Sequence, residues 1–396
     1  MGLRSGLLVW LNGVLALFLV DAGLSLLDDL SGLGPVRPLA PIRGLCSLFM
    51  LLASLLTYLM LAFVPAIPKR WFLPLSLFGP VWILLLPLIS IYHYSHLGII
   101  NLGVSVVQLA TGVWMVRALQ GGWQWRWPWI RAEHLMERPL RWPRLMAFFV
   151  LNGGVLLPAI VIYLAFCVHL AVDHFTAGFL RADTGGLTAI AKKYTRADGE
   201  VIQLIPMMHI GESRFYDELS RSVPTNSIIL LEGVSDRKGR LKNELSYERV
   251  AKSMGLEEQK DEFDPARGHP RNADIDVSEF SAKTLELLNL VVAYHAKGAS
   301  PELIRELMEK GQDPAALQGL WNDLLTMRNE HLLKEIRRAL KEDAPLWVPW
   351  GAAHMPGISQ GLEAEGFRVV ERTPHRILHF QTLWQRLRQS KASTAP

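Results

Sequence analysis

Two stretches of this chain, QLIPMMHIGESRFYDEL at 203–219 and LWVPWGAAHMPGISQGL at 346–362, follow one plan. Each runs from an apolar, strand-like segment through a histidine, His209 or His354, into a helical pattern. Pro356 suits the first turn of the second helix, and Gly366 suits its C-terminal cap. Around these units, LTAIAKKY (187–194), SIILLEGV (227–234) and FRVVERT (367–373) read as strands, and ESRFYDELSRSV (212–223) reads as a helix. Helical patterns fill most of 281–342. Strands alternating with helices predict an α/β domain over 187–396, a central sheet flanked by helices. Side chains at the carboxyl ends of adjacent strands in such a sheet face the ligand-binding crevice. The helix that follows aims its free N–H groups at the same place.

Several residues in this half fit chemistry at that crevice. The matched contexts of His209 and His354 bring two imidazoles to one site. Glu232 ends an apolar strand, where a carboxylate must be paired, hydrogen-bonded or metal-bound. Two histidines and a carboxylate with open positions match hydrolytic sites for a divalent ion such as Mn, Co, Zn or Fe. Arg328 falls on a stripe with Leu324, Leu332, Ile336 and Leu340, and Asn329 on the adjacent stripe with Leu317, Trp321, Leu325 and Leu333. Both polar residues therefore interrupt faces expected to be buried, and a buried guanidinium needs a carboxylate or oxyanion partner. Glu212 is open to three roles: general base, fourth ligand, or a favourable charge at a helix N-terminus. Asp274 and Asp276 read equally as site-closing or as solvated turn carboxylates, while His295, His375 and His379 read as structural. There is no HExxH and no Gly-rich phosphate loop.

The first half is of a different kind. Residues 1–180 hold 11 Lys/Arg against 6 Asp/Glu, and residues 181–396 hold 30 against 31. The basic excess thus belongs to an apolar N-terminal half and is no argument for nucleic acid. Apolar runs at 6–27, 44–67, 72–94, 97–119 and 145–172 predict an all-α membrane domain of about five transmembrane helices over 1–172, then a linker at 173–186. Arg4, Lys69, Arg70, Arg117 and five arginines between 126 and 144 lie in loops that the positive-inside rule places in the cytoplasm. With five spans, the C-terminal domain lies on the extracytoplasmic side of the cell membrane. WQWRWPW (123–129) reads as an interfacial anchor, and HYSH (93–96) as a polar turn. Asp21 and Asp173 are expected near span ends, within reach of water. The only cysteines, Cys46 and Cys167, lie in apolar runs, so the second half has neither disulfide nor thiolate site.

HIGESRFYDEL, IILLEGV, MRNEHLLKEI and VPWGAAHMPGI, in this order, resemble the TraB/PrgY/GumN family, to which the Tiki proteases belong. The resemblance covers roughly 186–375. The family pattern has two Gly-x-x-His motifs and a glutamate after an apolar strand. Gly351 to His354 matches the second motif and Glu232 the glutamate, but Pro206 stands where the first motif has glycine. The resemblance implies a metal-dependent peptidase acting outside the membrane, or inactivation of peptide signals.

These readings converge on an expectation: a membrane-anchored, metal-dependent peptidase acting on a peptide or protein substrate. In it His209, Glu232 and His354 hold the metal, Glu212 is the base, and Arg328 with Asn329 orients Glu232 or binds an oxyanion. The alternatives are a receptor that sequesters a peptide or haem-like ligand, and a transport or assembly unit with a soluble sensor.

Overall fold

The computed structural model describes residues 2–31, 39–241, 251–252, 254–265, 267–298, 300–311 and 314–393. The chain divides into two compact units, Met1–Cys167 and Val168–Pro396.

The first unit is helical. Together with the start of the second it supplies four stretches long and apolar enough to cross a membrane: Arg4–Ser31, Ala40–Phe63, Lys69–Gln120 and Trp142–Phe175. A 3-10 turn at Tyr94–His96 divides the third into helices Lys69–His93 and Leu97–Gln120. Helix Leu3–Ser31 packs on Ala40–Phe63 and on Leu97–Gln120, and Ala40–Phe63 packs on Lys69–His93. Leu11, Leu15, Phe18, Phe72 and Met115 form the centre of this bundle. Outward-facing Leu48, Phe49, Leu52 and Val107 stay uncovered, as lipid-facing side chains do.

Polar groups line the inside of the same bundle. Asp21 is buried rather than water-exposed at a span end, because Ser47 and Gln108 donate to its two oxygens at 2.6 and 2.8 Å. Two helical turns on, Asp28 and Asp29 share Arg43 at 2.8 and 2.6 Å, and Ser105 donates to Asp29. In WQWRWPW, Trp123 and Trp127 are exposed, and the Arg117 guanidinium lies 5.0 Å from the Trp123 ring centroid.

The second unit is built on one mixed sheet. Its strands are β1 (Leu180–Asp183), β2 (Gly186–Thr195), β3 (Val201–Met207), β5 (Ile228–Leu231), β7 (His269–Asn272), β8 (Leu346–Gly351) and β9 (Arg368–His379). A separate two-stranded ladder joins β4 (Ile210–Gly211) to β6 (Glu257–Glu258). Strands β3, β8, β5 and β7 are neighbours in that order and parallel. The near-continuous apolar content of β3, β8 and β5 is that of strands covered on both faces, whereas β7, HPRN, is exposed at the sheet edge. β2 runs antiparallel to β3, and β9 pairs with the whole length of β2.

Two features depart from the sequence reading, each for a local reason. β1 lies within 173–186 and pairs with β2 across a tight turn at Asp183, whose carboxylate accepts from Gly185 and Gly186. β9 continues past Thr373 through Pro374 to His379; among the described residues it pairs with β2 alone, so it is an edge strand, where proline is tolerated.

The parallel strands also part in a way that opens the sheet. β5 pairs with β8 at Ile228–Leu346 and Ile229–Trp347 only, and then diverges. Pro349, which has no N–H to give, stands just beyond that point. The ladder between β5 and β8 thus stops short of their carboxyl ends.

Candidate active site

Each of the four parallel strands delivers a polar residue at its carboxyl end. His209 follows β3, Glu232 follows β5, Asp274 follows β7, and His354 follows β8 as the N-cap of helix Met355–Ala364. Arg328 and Asn329 come from the first turn of helix Arg328–Ala339. A π-helical turn, Asn322–Met327, immediately precedes them. Such a turn adds a residue to the helical repeat and rotates what lies before it. This is why Leu332 and Ile336 are buried with Arg328, whereas Leu317 and Trp321, expected on a buried stripe, face solvent.

Arg328 is the hub. Its Nε donates to Asp274 Oδ1 at 3.0 Å, and its Nη2 donates to Asp274 Oδ2 at 2.6 Å and to Glu232 Oε1 at 2.7 Å. Its Nη1 lies 3.2 Å from His354 Nε2. A guanidinium only donates, so Nε2 accepts, and the ring proton resides on Nδ1. Nδ1–H in turn donates to Asn329 Oδ1 at 2.7 Å. Glu232 Oε2 accepts from the Gly351 N–H at 2.5 Å, which bridges the gap where β5 and β8 part. Asp274, whose side chain is fully buried, also accepts from the N–H groups of Gly233 and Ile275. Trp350 closes the floor, edge-on to His354 at 6.1 Å.

The glycines of GAAHMPG acquire a physical role here. A Cβ on Gly351 would sit 2.9 Å from Glu232 Oε2, and one on Gly357 would sit 2.5 Å from Asn329 Nδ2. Both positions are bare so that the polar side chains can approach the backbone.

Electrostatics follow from burial and the guanidinium. Desolvation and the nearby Arg328 charge push His354 down to about 4, so it is neutral at physiological pH. Burial works against the Arg328 charge, but Asp274 and Glu232 outweigh it and hold its pKa above the ordinary value.

The residues expected from sequence are therefore only partly assembled. Glu232, Arg328, Asn329 and His354 meet in one network, and Asp274, left open between site and solvated turn, is its most buried carboxylate. His209 is exposed beyond β3, close enough to His354 to act on its charge. Glu212 lies apart from the network: as N-cap of helix Ser213–Ser222 it accepts from the His379 N–H at 2.8 Å and meets His379 Nδ1 at 2.9 Å.

The donor set does not fit the divalent ion implied by the resemblance. His354 Nε2 and Glu232 Oε1 converge to 3.7 Å, but the Arg328 guanidinium already fills the notch between them. Among the described residues no group of three His, Cys, Asp or Glu side chains is arranged as metal ligands. Compared with protein families, with curated proteins and with solved structures, the chain gives no match.

Proposed function

We propose that the chain is a membrane-anchored hydrolase of acyl compounds, a peptidase acting on peptides or protein N-terminal segments, with its reaction centre at Arg328. One observation carries this reading. Four of the five guanidinium N–H donors are fixed on Asp274, Glu232 and His354, and the remaining Nη1–H has no partner among the described residues. A donor held rigidly in a desolvated pocket is suited to charge that develops on a carbonyl oxygen. In this scheme the scissile carbonyl accepts that N–H. Water adds to its carbon, and the water proton passes to the exposed His209 imidazole. The tetrahedral oxyanion, stabilised by Arg328, then expels the amine, which takes the proton from His209 as the C–N bond breaks. Glu232, Asp274, His354 and Asn329 position the guanidinium.

Five crossings belong to the same proposal. A straight helix over Lys69–Gln120 would run roughly 78 Å, against a bilayer core of about 30 Å, so the Tyr94–His96 turn reverses the chain. By the positive-inside rule the Lys/Arg loops favour a second unit outside the cell membrane, where peptides are met.

The open donor equally suits retention of an acceptor group without turnover, the basis of a sequestering receptor. Incubating the full-length protein in detergent with a peptide library, followed by mass spectrometry, separates the two. Fragments should appear with the wild type and Arg338→Ala, and be lost with Arg328→Lys and His209→Ala. Intact peptides retained stoichiometrically would establish the receptor and reject catalysis.

A further inference from the structure

The geometry points to a binding site for an anionic glycerophospholipid headgroup in the membrane unit, independent of the hydrolase reading. A cavity of about 240 Å³ is lined by Lys69, Arg70, Arg138, Arg141 and Arg144, and by no carboxylate. Among the described residues none of these five cations has an acidic partner, and the neighbouring Glu137 is engaged by Arg4 at 3.1 Å. Five uncompensated cations around one cavity repel one another, and only an anion relieves that.

The backbone adds to the field. Lys69 and Arg70 form the first turn of the 25-residue helix Lys69–His93, and Arg141 is the N-cap of helix Trp142–Phe149. Two positive helix ends therefore meet at the cations. The rest of the wall decides what kind of anion enters. Leu61, Ala62 and Phe148 line the same cavity, on helices whose outer faces are apolar and uncovered. A small hydrophilic anion has no use for that wall, whereas a phospholipid sets its phosphate among the cations and its acyl chains along the helices. Basic pockets between membrane helices hold anionic headgroups in this way.

The test is native mass spectrometry of the full-length protein with phosphatidylglycerol or phosphatidylcholine added. Wild-type protein should retain phosphatidylglycerol at least about tenfold over phosphatidylcholine. The variant carrying Lys69→Gln, Arg70→Gln, Arg141→Gln and Arg144→Gln should lose that preference, and Arg141→Gln with Arg144→Gln should lose part of it. Replacing Arg70, Arg141 and Arg144 by lysine should preserve it, which shows that the fold tolerates change there. Arg117→Gln with Arg126→Gln removes charge outside the cavity and should leave retention unchanged. Equal retention of both lipids, or an equal loss in the control, overturns the site. Displacement of the lipid by an equal concentration of inorganic phosphate overturns the lipid as its ligand.

Discussion

Replacing Arg328 by alanine removes four hydrogen-bond donors at once and strands the groups that they served. Asp274 would keep only the N–H groups of Gly233 and Ile275, with its carboxylate out of contact with water. Glu232 would keep the Gly351 N–H. Breaking a buried pair by removing one partner costs about 3–5 kcal/mol, a large share of a typical domain's stability of roughly 5–15 kcal/mol. The raised pKa gives the sign of any pH effect: the stabilisation is complete below the unfolded-state value and is lost only as pH climbs through the higher folded one. The penalty of the variant therefore carries no contribution from arginine titration near neutrality. Hydrogen exchange of the Leu346–Gly351 amides in the full-length protein should accelerate by roughly 10²–10⁴-fold. Arg338, exposed and, among the described residues, paired with Glu335 alone on its own helix, provides the comparison; its alanine variant should cost under about 1 kcal/mol. If both variants exchange alike, the guanidinium is not the keystone of this site.

His354 should make stability pH-dependent. Its folded pKa of about 4 lies below the unfolded value near 6.5, so stability present above 6.5 declines as pH falls towards 4, by about 3 kcal/mol in total. His354→Gln should flatten the melting temperature over that window, and an unchanged slope would assign it to other groups. Gly357→Ala should displace Asn329 and reduce turnover by more than its overpacking cost of about 1–3 kcal/mol implies. Gly361→Ala, which crowds Leu333 at 2.4 Å instead, should lower stability and spare activity; equal loss of activity in both would reduce the effect to packing. For topology, Thr225→Cys in a variant without Cys46 and Cys167 should react with a membrane-impermeant thiol reagent on intact cells. Labelling only after lysis would place the second unit in the cytoplasm.

What the sequence made legible were the features encoded locally. The strand–histidine–helix units announce themselves through apolar runs punctuated by proline and glycine, and Glu232 stands out because an apolar strand ends on a charge. Arg328 was visible because a cation broke a regular stripe. Asp274 was not, because NADIDV (272–277) is the same string whether solvated or buried; its burial depends on Arg328, 54 residues away in sequence. The π turn before Arg328 is likewise silent in composition, and it turned Leu317 and Trp321 outward. Glu212 looked like a site residue by its position after His209, but its partner His379 lies at the end of a strand that runs through proline. The polar interior of the membrane unit was hidden for the same reason: Asp21 meets Gln108 across 87 residues.

That interior has a consequence for how the protein is made. An aspartate at the centre of a membrane helix disfavours insertion by about 2.5–3.5 kcal/mol, and Leu3–Ser31 carries three towards its C-terminal end. The apolar remainder of that helix offsets part of this, but the groups that satisfy the carboxylates are synthesised later. Arg43 and Ser47 arrive with Ala40–Phe63, so the first two helices favour entering lipid as a hairpin rather than singly. Gln108 and Ser105 come only with Leu97–Gln120, which leaves the deepest carboxylate incompletely solvated until then. Biogenesis of the membrane unit is therefore cooperative over its first 120 residues, and truncation after Phe63 should yield a hairpin that the insertion machinery releases slowly.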